Sequence, residues 1–137
     1  MTFIQKAAYA VGAITLAVGV LGFVPAITSN NMLLGVFEVD LMHNIVHLLT
    51  GLCALGAAWS GAYVRLFFKT FGVVYAIVAI LGLALGSNVL GMMMNMPDHV
   101  LHVVLAAVFL SLGFATKEMS APMAPSMAAV PSAEMST

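Results

Sequence analysis

Three long stretches of this chain, Ala7 to Phe37, Leu41 to Val64 and Thr70 to Pro97, contain no Asp, Glu, Lys or Arg. Each outruns the roughly 20 residues needed to cross the hydrocarbon core of a bilayer. A fourth, His99 to Thr116, is shorter but still long enough for a span. Soluble domains carry about 25% charged residues. This chain is 7% charged and 63% hydrophobic, so it cannot cover a globular surface with solvated groups. The expectation is an all-α integral membrane four-helix bundle over residues 1–116, with spans near Ala7 to Ile27, Leu41 to Ala62, Phe71 to Val89 and Asp98 to Ala115. Lipid is the expected surrounding, and a net charge of −1 without any basic cluster argues against nucleic acid.

The N-terminal run resembles a signal peptide, but its apolar part exceeds the usual length and no A-x-A site closes it, so it is read as the first span. All four basic residues then fall at one end: Lys6 before the first helix, Arg65 and Lys69 between the second and third, and Lys117 after the fourth. The positive-inside rule therefore places both termini in the cytoplasm. Residues 117–137 turn to Pro, Ala, Ser and Met and are expected to form a disordered cytoplasmic tail. Met119, Met123 and Met127 recur there every four residues, but Pro122 and Pro125 would break a helix. Cys53 is expected to be a small packing residue within the second span. The GxxxG from Gly82 to Gly86, with Gly12, Gly19 and Gly22, marks expected close helix contacts within the bundle, with a homo-oligomer or membrane-protein partner as the alternative.

The polar residues carry the functional question. "DLMHNIVHLL" over "NMPDHVLHVV" pairs Asp40 with Asn95, His43 with Asp98, Asn44 with His99, and His47 with His102. The two hairpins are thus expected to be a parallel internal repeat. Positions i, i+3 and i+7 share a helix face, which gives one stripe of Asp40, His43 and His47 and another of Asn95, Asp98 and His102. Ionisable groups within a membrane are costly unless they face the interior and find partners. The first reading is that His43, Asn44, His47, Asn95, Asp98 and His102 organise the bundle or a partner contact, without catalysis. The alternative is a redox subunit binding haem or a transition metal. Metal candidates are His43, His47, Asp98 and His102, and His47 with His102 would be the axial pair for haem. The nearby Met92 to Met96 run adds soft donors suited to copper. A proton pathway has less to build on: below His47 the second helix offers only Thr50, Cys53 and Ser60. Ser60, Ser87 and Ser111 have no place at the polar mouth, so a nucleophilic triad has no support.

"VGVLGFVPAIT", "LLGVFEVDLMHNIVHLLTG", "GVVY" and "NMPDHVLHVVL" together resemble the small four-span bacterial membrane proteins catalogued as domain of unknown function 4383. The likeness runs from about Gly12 to Gly113. On that comparison His43, Asn44, His47, Gly51, Asn95, Asp98 and His102 fall on family positions, while His99 stands where asparagine is expected. The resemblance implies a bacterial inner-membrane protein and brings no activity with it.

Overall fold

The computed structural model describes residues 1–115. Four helices dominate it: α1 (Phe3–Leu21), α2 (Leu41–Ser60), α3 (Val64–Leu85) and α4 (Met96–Ala115). All four are long and apolar enough to cross a membrane, each spanning roughly 30 Å at 1.5 Å per residue. The chain is the expected integral membrane four-helix bundle. Lys117, the methionines at 119, 123 and 127, and the rest of the expected tail lie outside the described residues.

Helical periodicity explains which faces meet. On α1 the buried positions are Ala8, Gly12, Thr15 and Gly19, a narrow stripe of small side chains. On α2 they are His43, Asn44, His47, Thr50, Gly51, Ala54, Ala57 and Ala58. α2 is the most enclosed of the four helices, and it carries the first polar stripe. α1 packs along α2 and α3 along α4, giving two antiparallel hairpins that meet less extensively across α2 and α3. At one end the core is aromatic: the Phe68 and Phe109 rings stand edge to face at 5.4 Å, as do Tyr75 and Phe109, the arrangement the ring quadrupole favours. Lys6, Arg65 and Lys69 lie towards that end by topology. The polar stripes lie towards the other.

Several expected boundaries are corrected. α1 ends at Leu21 rather than Ile27, and α3 runs from Val64 to Leu85 rather than from Phe71 to Val89, so Arg65 and Lys69 belong to its first turns. The connections between the helices of each hairpin hold short antiparallel strands that the sequence reading had not foreseen. β1 (Thr28–Ser29), β2 (Met32–Leu33) and β3 (Phe37–Glu38) make one small sheet, and β4 (Asn88–Val89) with β5 (Met92–Met93) another. These strands let apolar segments outside the helices satisfy backbone N–H and C=O groups, which are costly to leave unpaired away from water.

The two tight turns match. Asn30 and Asn31 have φ of 51° and 61°, and Leu90 and Gly91, sixty positions later, have 55° and 86°. Two consecutive positive values define the hairpin turn whose twist suits antiparallel strands. Ser29 pairs with Met32 as Val89 pairs with Met92. The Leu34 N–H donates to the Ile27 carbonyl at 2.8 Å as the Met94 N–H donates to the Ser87 carbonyl at 2.9 Å.

Cys53 is exposed on the outer surface of α2 and is not the packing residue expected. The Gly82 to Gly86 motif does not act as a unit. Gly82 is tightly packed, whereas Gly86 caps α3 at φ 81° with open space around it. Gly12, Gly19 and Gly22 all face α2, against Leu55, Leu48 and Asn44 respectively.

Candidate functional site

Both helices that carry the polar stripes begin with a side-chain cap. Asp40 is the N-cap of α2, and its Oδ1 accepts from the His43 N–H at 2.8 Å. At α4, Asn95 and Asp98 exchange bonds: the Asp98 N–H donates to Asn95 Oδ1 at 3.2 Å, and the Asn95 N–H donates to Asp98 Oδ2 at 2.9 Å. This is a reciprocal capping box built from Asn and Asp. Both carboxylates sit at the positive end of a helix.

The same side chains also reach across to the opposite hairpin. Asp98 Oδ2 accepts from the Glu38 N–H at 3.0 Å, and Asn95 Nδ2 donates to the Val36 carbonyl at 2.7 Å. In the other direction, Asp40 Oδ2 accepts from the Met93 N–H. Three polar side chains thus cap their own helices and fasten the two hairpins through backbone groups of β3, β5 and the turn at Val36.

The histidines are arranged differently. His43 and His47 of α2 stack at 4.8 Å between ring centroids, and His102 of α4 lies 5.9 Å from His43 and 6.4 Å from His47. All three are buried, at 2%, 6% and 4% exposure, and one ring nitrogen from each lies within 4.8 Å of the others. A carbonyl oxygen can only accept, so each ring nitrogen facing one must carry the hydrogen. His43 Nδ1 meets the Glu38 carbonyl at 3.0 Å, and His102 Nδ1 meets the Asp98 carbonyl at 2.6 Å. In the neutral rings, Nε2 of both is therefore left with a free lone pair. His43 Nε2 and His47 Nδ1 are buried without a hydrogen-bond partner among the described residues.

The triad borders a cavity of about 50 Å³, closed by Thr50, Tyr75, Met92, Met94 and apolar side chains of α2 and α3. The Tyr75 ring stacks on His102 at 5.3 Å and links the site to the aromatic core. The His47 and His102 rings are inclined at 51° to each other.

The remaining sequence candidates fall elsewhere. Asp98 is spent on N–H groups rather than aimed into the triad. Asn44 and His99 turn towards the partner helix of their own hairpin. A Cβ placed on Gly22 would run into the Asn44 side chain, and one on Gly82 into the His99 ring. The sequence reading missed the contributions of Glu38, Val36 and Met93, since these act through their backbones, and of Tyr75, an aromatic whose place beside His102 has no signature in a linear sequence.

Four apolar helices of spanning length in a single bundle define the class: a small multi-pass membrane protein. Neither the curated proteins nor the solved structures contain a match to the chain. The family is nonetheless shown, because the model for Domain of unknown function (DUF4383) matches residues 5–115, and the chain belongs to that family. The match covers α1 from its third residue onward, the other three helices in full, and every residue of the polar site.

Proposed function

We propose that this is a transition-metal-binding protein of the bacterial inner membrane, in which His43, His47 and His102 hold one ion near the extracytoplasmic face. The observation that carries this reading is the convergence of three buried imidazoles, each with a ring nitrogen within 4.8 Å of the others, while His43 Nε2 and His47 Nδ1 lack a partner among the described residues. Burying a polar atom without a hydrogen bond costs about 1–3 kcal/mol, and a metal ion removes that cost for the whole set. Ligating histidines typically donate their other N–H to a carbonyl, as His43 and His102 do here. Zinc–nitrogen bonds of about 2.0–2.1 Å put tetrahedral ligands roughly 3.3 Å apart. The widest pair, at 4.8 Å, has to close by about 1.5 Å, within the reach of small side-chain rotations. The orientation rests on the positive-inside rule applied to Lys6, Arg65 and Lys69.

A second role for the polar cluster, organising the bundle, is favoured by the bonds of Asp40, Asn95 and Asp98 between hairpins. These bonds use different atoms from the triad, so the two roles coexist. The parallel repeat is supported by the matching turns and by the equivalent caps, each acceptor or donor reaching into the opposite half.

The test is elemental analysis of the full-length protein purified in mild detergent, exposed in turn to copper, zinc, cobalt, nickel and iron salts and then dialysed. One ion per chain is expected, lost in His47→Ala with the helical signal retained. A wild-type protein that keeps none of these metals refutes the reading and leaves the clamp alone.

A further inference from the structure

We infer that the ion held by the triad is monovalent copper, with a thioether from Met92 or Met94 completing its coordination. The inference rests on the metal-binding reading above and adds the identity of the ion.

Charge comes first. All three imidazoles are neutral ligands, and the two nearest carboxylates of the helix caps are committed to backbone N–H groups: Asp40 to His43 and Met93, Asp98 to Glu38 and Asn95. Nothing in the ligand set cancels the charge of the ion. The cost of moving an ion from water into an apolar medium scales with the square of its charge in the Born description, so a divalent ion bears about four times the penalty of a monovalent one in the same cavity. A zinc ion would offset this by bringing a hydroxide, which needs polar neighbours, but the cavity offers only Thr50 and Tyr75 beyond the histidines.

Donor chemistry agrees. Met92 opens β5 and Met94 directly follows it, and both line the same cavity as the three histidines, at 6% and 1% exposure. Buried methionine alone is ordinary packing. Here two of them line the same cavity as three buried imidazoles, and thioether sulfur is a soft ligand that selects Cu(I) over harder divalent ions. The turn that delivers them is fixed by φ values of 55° and 86° at Leu90 and Gly91 and held by the Met93 N–H bond to Asp40. The methionines are therefore carried by a structured hairpin tied to the helix that supplies two of the histidines.

The experiment uses the full-length protein in detergent, loaded anaerobically with Cu(I) or with Zn(II), each in competition with a chromogenic chelator, followed by X-ray absorption at the metal edge. The variants are Met92→Leu with Met94→Leu, a near volume-conserving pair that keeps the packing, and His47→Ala. The chain has 11 methionines, so copper that survives in His47→Ala is assigned to sites other than the triad. One Cu(I) per chain is expected, with nitrogen and sulfur scatterers and at least 100-fold preference over Zn(II). The double methionine variant should lose the sulfur shell and at least tenfold in affinity. Zinc bound as tightly as copper, or a copper site with no sulfur scatterer and unchanged affinity in the methionine variant, overturns the cuprous assignment while the three-histidine site stands. Failure to retain either metal overturns both.

Discussion

The residue on which most interactions depend is Asp98, and replacing it offers the sharpest test of the arrangement. Its side chain is 3% exposed, and one oxygen accepts from both the Glu38 N–H and the Asn95 N–H. Asp98→Ala strands the Glu38 donor in a half-buried position, at a cost of about 1–3 kcal/mol. It also opens the α4 capping box, for about a further 1 kcal/mol. The expected destabilisation is about 2–4 kcal/mol. Asp98→Asn keeps an acceptor in place but loses the charge assistance that roughly doubles the strength of such bonds, so its loss should be about half as large. Reversible unfolding in bicelles or mixed micelles measures both differences. Metal binding supplies an independent readout, because the Glu38 carbonyl holds His43 Nδ1 and its N–H is anchored by Asp98. Loss of such outer-shell support typically lowers metal affinity 10- to 100-fold. An alanine variant within 0.5 kcal/mol of wild type, or an asparagine variant as damaged as the alanine one, would show that the carboxylate does not join the hairpins.

Other substitutions probe separate parts of the fold. Gly82→Ala pushes a Cβ into the His99 ring and should cost about 1–3 kcal/mol by overpacking; adding His99→Ala should recover much of that loss, and purely additive effects would disprove the contact. Leu90 has φ 55° and is 70% exposed, a conformation that asparagine tolerates far better than leucine. Leu90→Asn should raise stability by about 0.5–1 kcal/mol, and a lower melting temperature would contradict the turn assignment. In a Cys53→Ser background, a single cysteine at Asn30 should react with an impermeant maleimide added outside bacterial spheroplasts while one at Tyr63 stays protected; the reverse pattern would invert the proposed orientation.

Much of this architecture can be read from the sequence because the bilayer imposes one coarse requirement. A chain without charges over spans of this length has few options besides helices, and the positions where polar groups interrupt the pattern stand out. Asp40, Asn95 and Asp98 were visible on that basis, and so were His43, His47 and His102. What those residues bond to was not visible. The partners of Asp98 and Asn95 across the hairpin boundary are the Glu38 N–H and the Val36 carbonyl, and backbone groups have no letter in a sequence. The strands were hidden for a related reason. The two-residue strands within "TSNNML" and "NVLGMM" are too short for any alternation to show, and only the Asn-Asn and Leu-Gly turn positions mark where the chain reverses. Asn44 fell into the polar cluster by proximity in sequence, yet it is turned to a glycine of its own hairpin, as His99 is in the other half. Lone stripes of i, i+3 and i+7 do not distinguish a face shared with the other hairpin from one shared with the preceding helix.

The repeat we propose also bears on why the site has three histidines rather than two or four. Equivalent positions on the two halves come in pairs, so His47 and His102 form the natural ligand pair across the pseudo-axis. A third ligand must break the symmetry, and it does so where His43 stands opposite Asp98. In the α4 half this position, third in the helix, holds the acid that completes the capping box and takes the Glu38 N–H. In the α2 half the cap depends on Asp40 alone, which supplies one oxygen to the His43 N–H and the other to Met93. That arrangement frees the third position of its capping duty and lets an imidazole occupy it, oriented by the carbonyl of the very residue whose N–H Asp98 holds. The proposed ligand in one half and the clamp in the other are therefore two uses of a single structural position, joined through the backbone of Glu38.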